Sequence, residues 1–335
     1  MPQMPPVLPP PAELLADAVE FRLPLRVRFR GTDVREGLLL RGPRGWAEFA
    51  PFPEYGPDES AHWLQAAIET AWSGWPQPRR AEVPVNAIVP AVGPAEAARL
   101  TRESGCSTAK VKVAEPGQHL DDDIARVAAV RDALGRNGRV RIDANGAWSP
   151  EQAQQALREL APYDLEYVEQ PCATVEQCAQ LRRLVDVRVA VDEGLRKAPD
   201  PLQVDALREA ADVLVLKAAP LGGVRRALRV AERHGLPCVV SSALDSSVGL
   251  AAGVALAAAL PQLPFACGLG SGLLLAEDVT DRRLLPDGGR IAVLDRAPVP
   301  DSGRWPAPSV AWRARLEAAH GVLVGGDSPN PTPPG

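Results

Sequence analysis

The chain has 335 residues, of which 46% are hydrophobic and 24% are charged, and its formal net charge at pH 7 is −5. This length allows one barrel and a smaller domain with a large apolar core. The net charge of −5 and the sequence show no basic stripe of the kind that phosphate backbones require, so we expect a small-molecule partner and no nucleic acid.

The five cysteines indicate free thiols in a reducing compartment. Their number is odd and no CxxC pair occurs, which argues against a disulfide framework or a zinc site. The N-terminal MPQMPPVLPPP has neither a basic region nor an apolar core of a signal peptide, and no run reaches the length of a membrane span. We predict a cytoplasmic protein without membrane contact; its oligomeric state stays open, with a monomer favoured.

The N-terminal part predicts an α+β capping domain over residues 1–85. After a proline-rich and poorly ordered first dozen residues, three strand-like runs predict a meander: FRLPLRVRFRG, REGLLLRG and GWAEFAPFP. From Asp58 to Trp75 apolar residues recur at helical spacing, with Asp58 as the N-cap.

Beyond Val83 the pattern changes to apolar strands that alternate with amphipathic helices. The strand candidates are VNAIVPA, AKVKV, VRIDAN, YVEQP, VAVDE, VLVLKA, CVVSSAL and FACGLG. Continuous apolar strands before helices favour a parallel sheet. Eight such units in about 200 residues predict an α/β fold, a (β/α)8-type barrel over residues 86–285. We expect residues 286–335 to pack back on the capping domain and complete it, before the end frays.

Ionisable residues lie at the ends of successive predicted strands. In strand order these are Lys110 and Lys112 on the second, Asp143, Glu169 and Asp192 on the third to fifth, and Lys217 on the sixth. The carboxyl ends of the strands form the active face of a barrel. Because side chains alternate along a strand, Lys110 and Lys112 share the inward side if Val111 and Val113 pack outward. The second and sixth strands are opposite each other, so the lysines flank the acids.

Three neighbouring carboxylates require a cation to stay ionised. Oxygen ligands suit Mg²⁺ or Mn²⁺, so Asp143, Glu169 and Asp192 are the predicted metal ligands. A substrate carboxylate bound there has its α-proton acidified, and burial beside positive charge lowers a lysine pKa from about 10.4 toward neutrality. The pattern therefore predicts proton abstraction α to a carboxylate, with a small-molecule carboxylate as the substrate.

Other polar residues near the acids have less defined roles. Lys110 is a third catalytic candidate, as a positioning charge or an electrostatic modulator, or it is only a neighbour. Asn145 is a candidate to orient the ligand, and Glu193 supports the adjacent aspartate or caps a helix. Phe52 and Tyr55 lie on a cap loop that either closes over the site or packs locally.

These motifs resemble the enolase superfamily, in particular its muconate-lactonising subgroup, with KxK on strand two, metal acids ending strands three to five and lysine on strand six. Within the subgroup, RIDANGAW, VEQP, VDE and SSALDSSVGLA are similar to the o-succinylbenzoate synthases of the actinobacterial type. FRGTDVREG and GWAEFAPFP resemble that family's capping domain, so the resemblance covers nearly the whole chain. The segment VLKAAP departs from it, because a proline is expected nearer the lysine.

The resemblance implies a Mg²⁺-dependent dehydration of 2-succinyl-6-hydroxy-2,4-cyclohexadiene-1-carboxylate to 2-succinylbenzoate in menaquinone biosynthesis. It implies that Lys112 removes the α-proton and returns it to the departing hydroxide, while Lys217 stabilises the enediolate from the opposite side. The candidates to bind the succinyl group or the ring are Ser241, Ser242, Gly268 and Leu269. The alternative is that these residues only allow tight turns.

Other functions remain open. An N-acylamino acid racemase, a dipeptide epimerase or a cycloisomerase of the same subgroup would also use two opposed lysines, although FACGLGSG lacks the acidic motif expected on strand eight of a dipeptide epimerase. A non-catalytic barrel predicts the loss of a lysine or metal acid, and none is missing. The GLGSG turn alone would fit a barrel with a phosphate site, which would not explain the three acids.

Overall fold

The structure is a computed structural model that describes residues 8–29 and 31–326. The predicted poorly ordered N-terminus falls partly on residues 1–7 and the predicted fraying end on residues 327–335, which lie outside the described part. Residues 11 and 12, which we expected to be irregular, begin helix α1 (Pro11–Leu15), with proline in its first turn. Proline is favoured there because its φ angle suits a helix and its missing N–H would have no partner.

The N-terminal strands form the predicted antiparallel meander, with β2 (Thr32–Gly42) between β1 (Val19–Phe29) and β3 (Gly45–Phe49). Helix α2 (Pro57–Ile68) follows and continues as a π-helical turn over Glu69–Ser73. The prediction that Asp58 is the N-cap is wrong. Gly56 is the N-cap and Asp58 lies in the first turn, because Pro57 begins the helix.

Seven strands form a parallel sheet in which each strand pairs with the next along the chain, in the order β11-β10-β9-β8-β7-β6-β5. They are β5 (Ala87–Val89), β6 (Thr108–Lys112), β7 (Arg139–Asp143), β8 (Leu165–Glu169), β9 (Val189–Val191), β10 (Val213–Leu216) and β11 (Cys238–Val240). A separate pair joins β4 (Glu82–Pro84) to β12 (Arg290–Ala292). Seven of the eight predicted barrel strands are therefore strands, and the (β/α)8-type barrel is confirmed.

The eighth predicted strand, residues 265–270, forms bridges with both edges of this sheet instead of a strand. At one edge the Cys267 N–H donates to Pro84 O at 2.7 Å, and Cys267 O accepts from the Asn86 N–H at 2.9 Å. At the other edge the Gly268 N–H donates to Val240 O at 2.8 Å. Two residues thus connect the first and last strands and close the ring.

Helices cover the outside of the barrel. The six predicted ones are α3 (Pro94–Glu103), α4 (Leu120–Leu134), α5 (Pro150–Leu160), α6 (Val175–Arg182), α9 (Val224–His234) and α10 (Ser247–Ala259). Two single-turn helices, α7 (Glu193–Arg196) and α8 (Leu207–Ala210), were not predicted. No helix in the described ranges is both long and apolar enough to cross a membrane.

Helix α11 (Val310–Gly326), which was also not predicted, packs against α2. Its Leu316 and Ala319 are fully buried in a core shared with Trp63 and Phe49 of the N-terminal unit. The C-terminal segment therefore lies on this unit. The domain boundaries at residues 85 and 285 stay a prediction.

Because side chains point alternately outward and inward along the strands, the barrel has one hydrophobic core outside the sheet and a second inside it. Outward residues such as Val111 and Ile142 belong to the large core shared with the helices. The barrel interior holds a smaller cluster of Tyr167, Ala190, Val213, Val215, Val239 and Phe265. Arg141 is buried there as well, 2.5 Å from Glu166 and stacked over Tyr167 at 4.7 Å. This filled interior supports the ionisable side chains at the carboxyl ends of the strands.

Candidate active site

The predicted lysines and metal acids lie at the carboxyl ends of five consecutive strands of the barrel, β6 to β10. Lys112 ends β6 and pairs in register with Asp143, which ends β7, and Asp143 pairs with Glu169, which ends β8. Asp192 directly follows β9 and Lys217 directly follows β10. All of these side chains are buried, and the most exposed of them is Lys112 at 9%. The parallel register therefore gathers them at one end of the barrel.

Each carboxylate is held by a lysine. The Lys110 ammonium lies between two of them, 3.2 Å from Asp143 Oδ2 and 2.6 Å from Glu169 Oε1. Lys112 Nζ lies 2.6 Å from the same Asp143 oxygen, and Lys217 Nζ lies 2.5 Å from Asp192 Oδ2. Lys112 and Lys217 thus stand at the two ends of the row of acids, as predicted from their strand positions.

The three carboxyl groups differ in their affinity for a proton. Burial opposes ionisation of Asp143, but Lys112 and Lys110 outweigh it and hold the pKa of Asp143 below its usual range. Lys217 and Arg196 do the same for the pKa of Asp192. Burial, together with the negative charge of Asp143, raises the pKa of Glu169 to about 7. Glu169 is therefore the one of the three carboxyl groups that binds a proton most readily.

The pKa values of the two lysines of β6 are shifted in opposite directions. Burial disfavours the Lys110 ammonium, but the charges of Glu169 and Asp143 prevail and raise its pKa. Burial lowers the pKa of Lys112, and the neighbouring Lys110 charge adds to this effect against the attraction of Asp143. Lys112 therefore loses its proton more readily than Lys110 and is the one of the pair that can act as a free amine.

A small cavity of about 30 Å³ lies beside these groups. It is lined by the site residues Lys110, Lys112, Asp143, Asn145, Lys217, Ser241 and Ser242, together with Phe29, Ile88, Ala243, Leu244 and Ser271. Phe29 ends a cap strand, and the centre of its ring lies 5.2 Å from Lys112 Nζ. The cap therefore reaches the predicted base directly.

Of the five substrate-binding candidates, three line the cavity and two lie behind it. Asn145 Oδ1 lies 2.5 Å from Lys112 Nζ, and Ser242 Oγ donates to Gly268 O at 3.0 Å and lies 2.8 Å from Ser271 Oγ. Gly268 supports the serines through its backbone, and Leu269 is fully buried in the large core. Neither of these two lines the cavity.

Two neighbours of the acids were not predicted. The Gln170 side chain accepts hydrogen bonds from the backbone N–H groups of Asp192 and Gly194, at 2.9 and 3.1 Å. Arg196 lies 3.0 Å from Asp192 Oδ1. Its spacing of four residues from Asp192 was a possible signal, but α7 is too short to show a period.

Lysine content was a stronger signal that sequence reasoning did not use. The chain has four lysines, and three of them are at this site. The fourth, Lys197, is exposed.

The chemistry of the donor set fits a hard divalent cation. Three buried carboxylates from neighbouring strands lie together, and burial, then the charge of Asp143, raise the pKa of Glu169. Carboxylate oxygens are the donors that suit Mg²⁺. Ammonium groups contact these carboxylates in the structure. No group of three or more His, Cys, Asp or Glu side chains is arranged as a metal shell within residues 8–29 and 31–326.

Comparison with known proteins identifies the family. The enolase N-terminal domain-like model matches residues 20–71, and the enolase C-terminal domain-like model matches residues 94–298. A protein of Thermobifida fusca named o-succinylbenzoate synthase is 60% identical over 302 residues, which are 89% of this chain and 94% of that protein. One of the same name from Mycobacterium tuberculosis is 50% identical over 325 residues, 95% of this chain and 98% of that protein.

Solved structures share the fold. The dipeptide epimerase of Enterococcus faecalis, complexed with Mg and the dipeptide L-Leu-L-Tyr, superposes with a TM-score of 0.70 at 21% identity, over 84% of this chain and 96% of that one. This likeness shows the fold alone, whereas the identity and coverage of the two synthases show the family. The chain belongs to the o-succinylbenzoate synthase family, with the enolase-like N- and C-terminal domains that its two family models describe.

Proposed function

We propose that the protein dehydrates 2-succinyl-6-hydroxy-2,4-cyclohexadiene-1-carboxylate to 2-succinylbenzoate, a step of menaquinone biosynthesis. The observation that carries this proposal is the pair of relatives named o-succinylbenzoate synthase, at 60% and 50% identity over nearly their full lengths. The arrangement of Lys112 and Lys217 at the two ends of a row of buried acids supports it, because the reaction needs a base and a counter-charge at the substrate carboxylate.

We propose Mg²⁺ as the cofactor, with Mn²⁺ as a substitute, and Asp143, Glu169 and Asp192 as the residues that hold it. Mg bound in the dipeptide epimerase of the same fold supports this choice. When bound, the ion supplies positive charge that stabilises the negative charge developing on the substrate carboxylate.

Lys112 is the proposed base. Its amine takes the proton from the ring carbon that bears the carboxylate, and the electron pair left on that carbon expels the hydroxyl group from the neighbouring carbon. The Lys112 ammonium then returns the proton to the leaving hydroxide, so that water departs and the ring becomes aromatic. Burial lowers the pKa of Lys112, which supports this role, and its contact with Asn145 Oδ1 orients the amine.

Lys217 is proposed to stabilise the developing negative charge from the opposite side. Lys110 is proposed as a positioning charge, because it contacts two of the acids and its pKa is raised. Asn145, Ser241 and Ser242 are proposed substrate contacts, since all three line the cavity with the lysines. Gly268 and Leu269 are proposed to support them from behind.

The alternative is racemisation of an N-acylamino acid, which the opposed lysines also permit. The test is an assay of the purified protein with Mg²⁺ on both substrates. Loss of the cyclohexadiene absorbance with formation of 2-succinylbenzoate supports the proposal. Racemisation of N-succinyl amino acids without dehydration contradicts it.

We also propose that the protein works in the cytosol as a monomer. The five cysteines, all free and buried, support a reducing compartment. Sedimentation of the purified chain measures its oligomeric state.

A further inference from the structure

Arg196, on the single-turn helix α7, makes three charge-assisted or polar contacts with its guanidinium. Nε lies 3.0 Å from Asp192 Oδ1, Nη2 lies 2.8 Å from Glu193 Oε1, and Nη1 lies 2.7 Å from the hydroxyl oxygen of Tyr55. The side chain is 2% exposed and that of Asp192 is 0% exposed. The guanidinium is thus fixed in a buried site by partners on three sides.

These contacts reach both ends of the active site. Because Arg196 holds Oδ1 of Asp192, Oδ2 is the oxygen that faces Lys217. The second contact of Arg196 leads to the base. Glu193 Oε1 also accepts a hydrogen bond from Asn145 Nδ2 at 3.2 Å, and Asn145 Oδ1 contacts the proposed base Lys112. One guanidinium therefore fixes the orientation of a proposed metal ligand and, through two side chains, of the base.

Tyr55 belongs to the cap loop between β3 and α2, not to the barrel. Its ring packs edge-on against Phe52 at 5.6 Å and lies 6.3 Å from Trp63, and its backbone carbonyl accepts a hydrogen bond from Arg315 of α11 at 3.1 Å. The residue is 7% exposed. The contact between its hydroxyl group and Arg196 is therefore a buried link from the cap to the acids of the barrel.

We propose that Arg196 is a positioning residue that couples the cap loop to Asp192, so that closure of the loop and binding of the divalent cation strengthen each other. The inference rests on the proposed role of Asp192 as a metal ligand. Coupling of this kind is reciprocal: what the loop adds to the affinity for the ion, the ion adds to the closure of the loop.

The test is Mn²⁺ binding without substrate, measured from the free-ion signal in electron paramagnetic resonance. Arg196→Lys keeps the positive charge but loses the planar guanidinium with its three separate donors. We expect its Mn²⁺ dissociation constant to rise roughly 10- to 100-fold, as for residues that orient metal ligands in other proteins. Tyr55→Phe keeps the ring and removes only the hydroxyl group, and we expect a rise of about 10-fold. Tyr163→Phe, which removes a hydroxyl group elsewhere on the barrel, is the matched control and leaves the constant unchanged.

A double variant identifies the path. If the loop acts through Arg196, Tyr55→Phe adds little to Arg196→Lys, whereas independent effects would multiply. A wild-type Mn²⁺ affinity in folded Tyr55→Phe overturns the inference, and so do equal changes in Tyr163→Phe or multiplying effects in the double variant. A merely structural role would lower the melting temperature without changing the affinity, which also overturns it.

The two proposals fail in different ways. If the wild type dehydrates the cyclohexadiene carboxylate and Tyr55→Phe binds Mn²⁺ normally, only the coupling is wrong. If the affinities change as expected but the wild type forms no 2-succinylbenzoate, the coupling stands and the proposed substrate is wrong.

Discussion

Glu48 of β3 accepts two hydrogen bonds from Ser246, the N-cap of α10, from the backbone N–H at 2.9 Å and from the hydroxyl group at 2.5 Å. This contact joins the cap to the barrel and is fully buried. Burial, and then the charge of Asp245, raise the pKa of Glu48 to about 8. Arg35 lies 3.7 Å from Glu48, and its charge offsets only part of this effect.

This raised pKa predicts that the protein is more stable in mild acid. Between the ordinary carboxyl pKa of 4.5 and about 8, the folded state binds a proton at Glu48 that the unfolded state releases, so stability falls as pH rises through this window. In Glu48→Gln we expect a flatter dependence of the melting temperature on pH, measured by circular dichroism at pH 5, 6.5 and 8. The exposed Glu159→Gln is the control. Parallel curves for wild type and Glu48→Gln would contradict the prediction.

The lysine variants are expected to fold and to lose dehydration. We expect kcat to fall roughly 10²- to 10⁴-fold in Lys112→Ala, the range for a lost general base. In Lys217→Ala we expect a fall of roughly 10²- to 10³-fold, the range for a lost stabilising charge. Product formation is followed by absorbance, and circular dichroism checks the fold. Turnover retained in Lys112→Ala would remove this residue as the base.

Mg²⁺ is expected to stabilise the fold through the row of acids. At 100 times its dissociation constant, an ion that binds only the folded state adds about 2.7 kcal/mol. Thermal unfolding should therefore show a rise in melting temperature with MgCl₂ that is abolished by chelator and reduced in Glu169→Gln. Choline chloride of equal ionic strength is the control, and an equal rise with this salt would show that screening is the cause.

Gly268 is expected to accept a side chain only if Ser241 moves. A Cβ there would lie 2.6 Å from Ser241 Oγ and 3.2 Å from Ser241 Cβ, so Gly268→Ala should displace a residue that lines the cavity. We expect a loss of about 1–3 kcal/mol in the free energy of unfolding and a lower kcat/KM. Gly321→Ala in α11 is the matched control, because no atom lies within 4 Å of its Cβ and alanine favours a helix by about 1 kcal/mol. Equal stability losses would contradict the prediction.

The sequence predicted the barrel and the placing of its ionisable residues because side-chain alternation and parallel pairing are local rules. Lys112, Asp143 and Glu169 end adjacent strands, and that adjacency follows from the order of the strands along the chain. The hydrophobic period also located the six longer helices that cover the barrel. These features require no knowledge of distant contacts.

The features that the sequence did not predict depend on contacts that leave no periodic pattern of hydrophobic residues. The bridge at Cys267 and Gly268 closes the ring with two residues, and α7 is a single turn, so neither gives a periodic signal. The cap contacts of Arg196 and Ser246 depend on loops that fold against the barrel. The prediction that Asp58 caps α2 failed because the neighbouring Pro57 determines where that helix begins.

The scarcity of lysine has a practical consequence for labelling. The amines at the site are buried and hydrogen-bonded, so Lys197 is the side-chain amine that an acylating dye reaches. Its Nζ lies 5.5 Å from the centre of the Tyr55 ring. A fluorophore attached there would stand beside Tyr55 of the cap loop, and its emission would report on the surroundings of that loop without a cysteine having to be introduced.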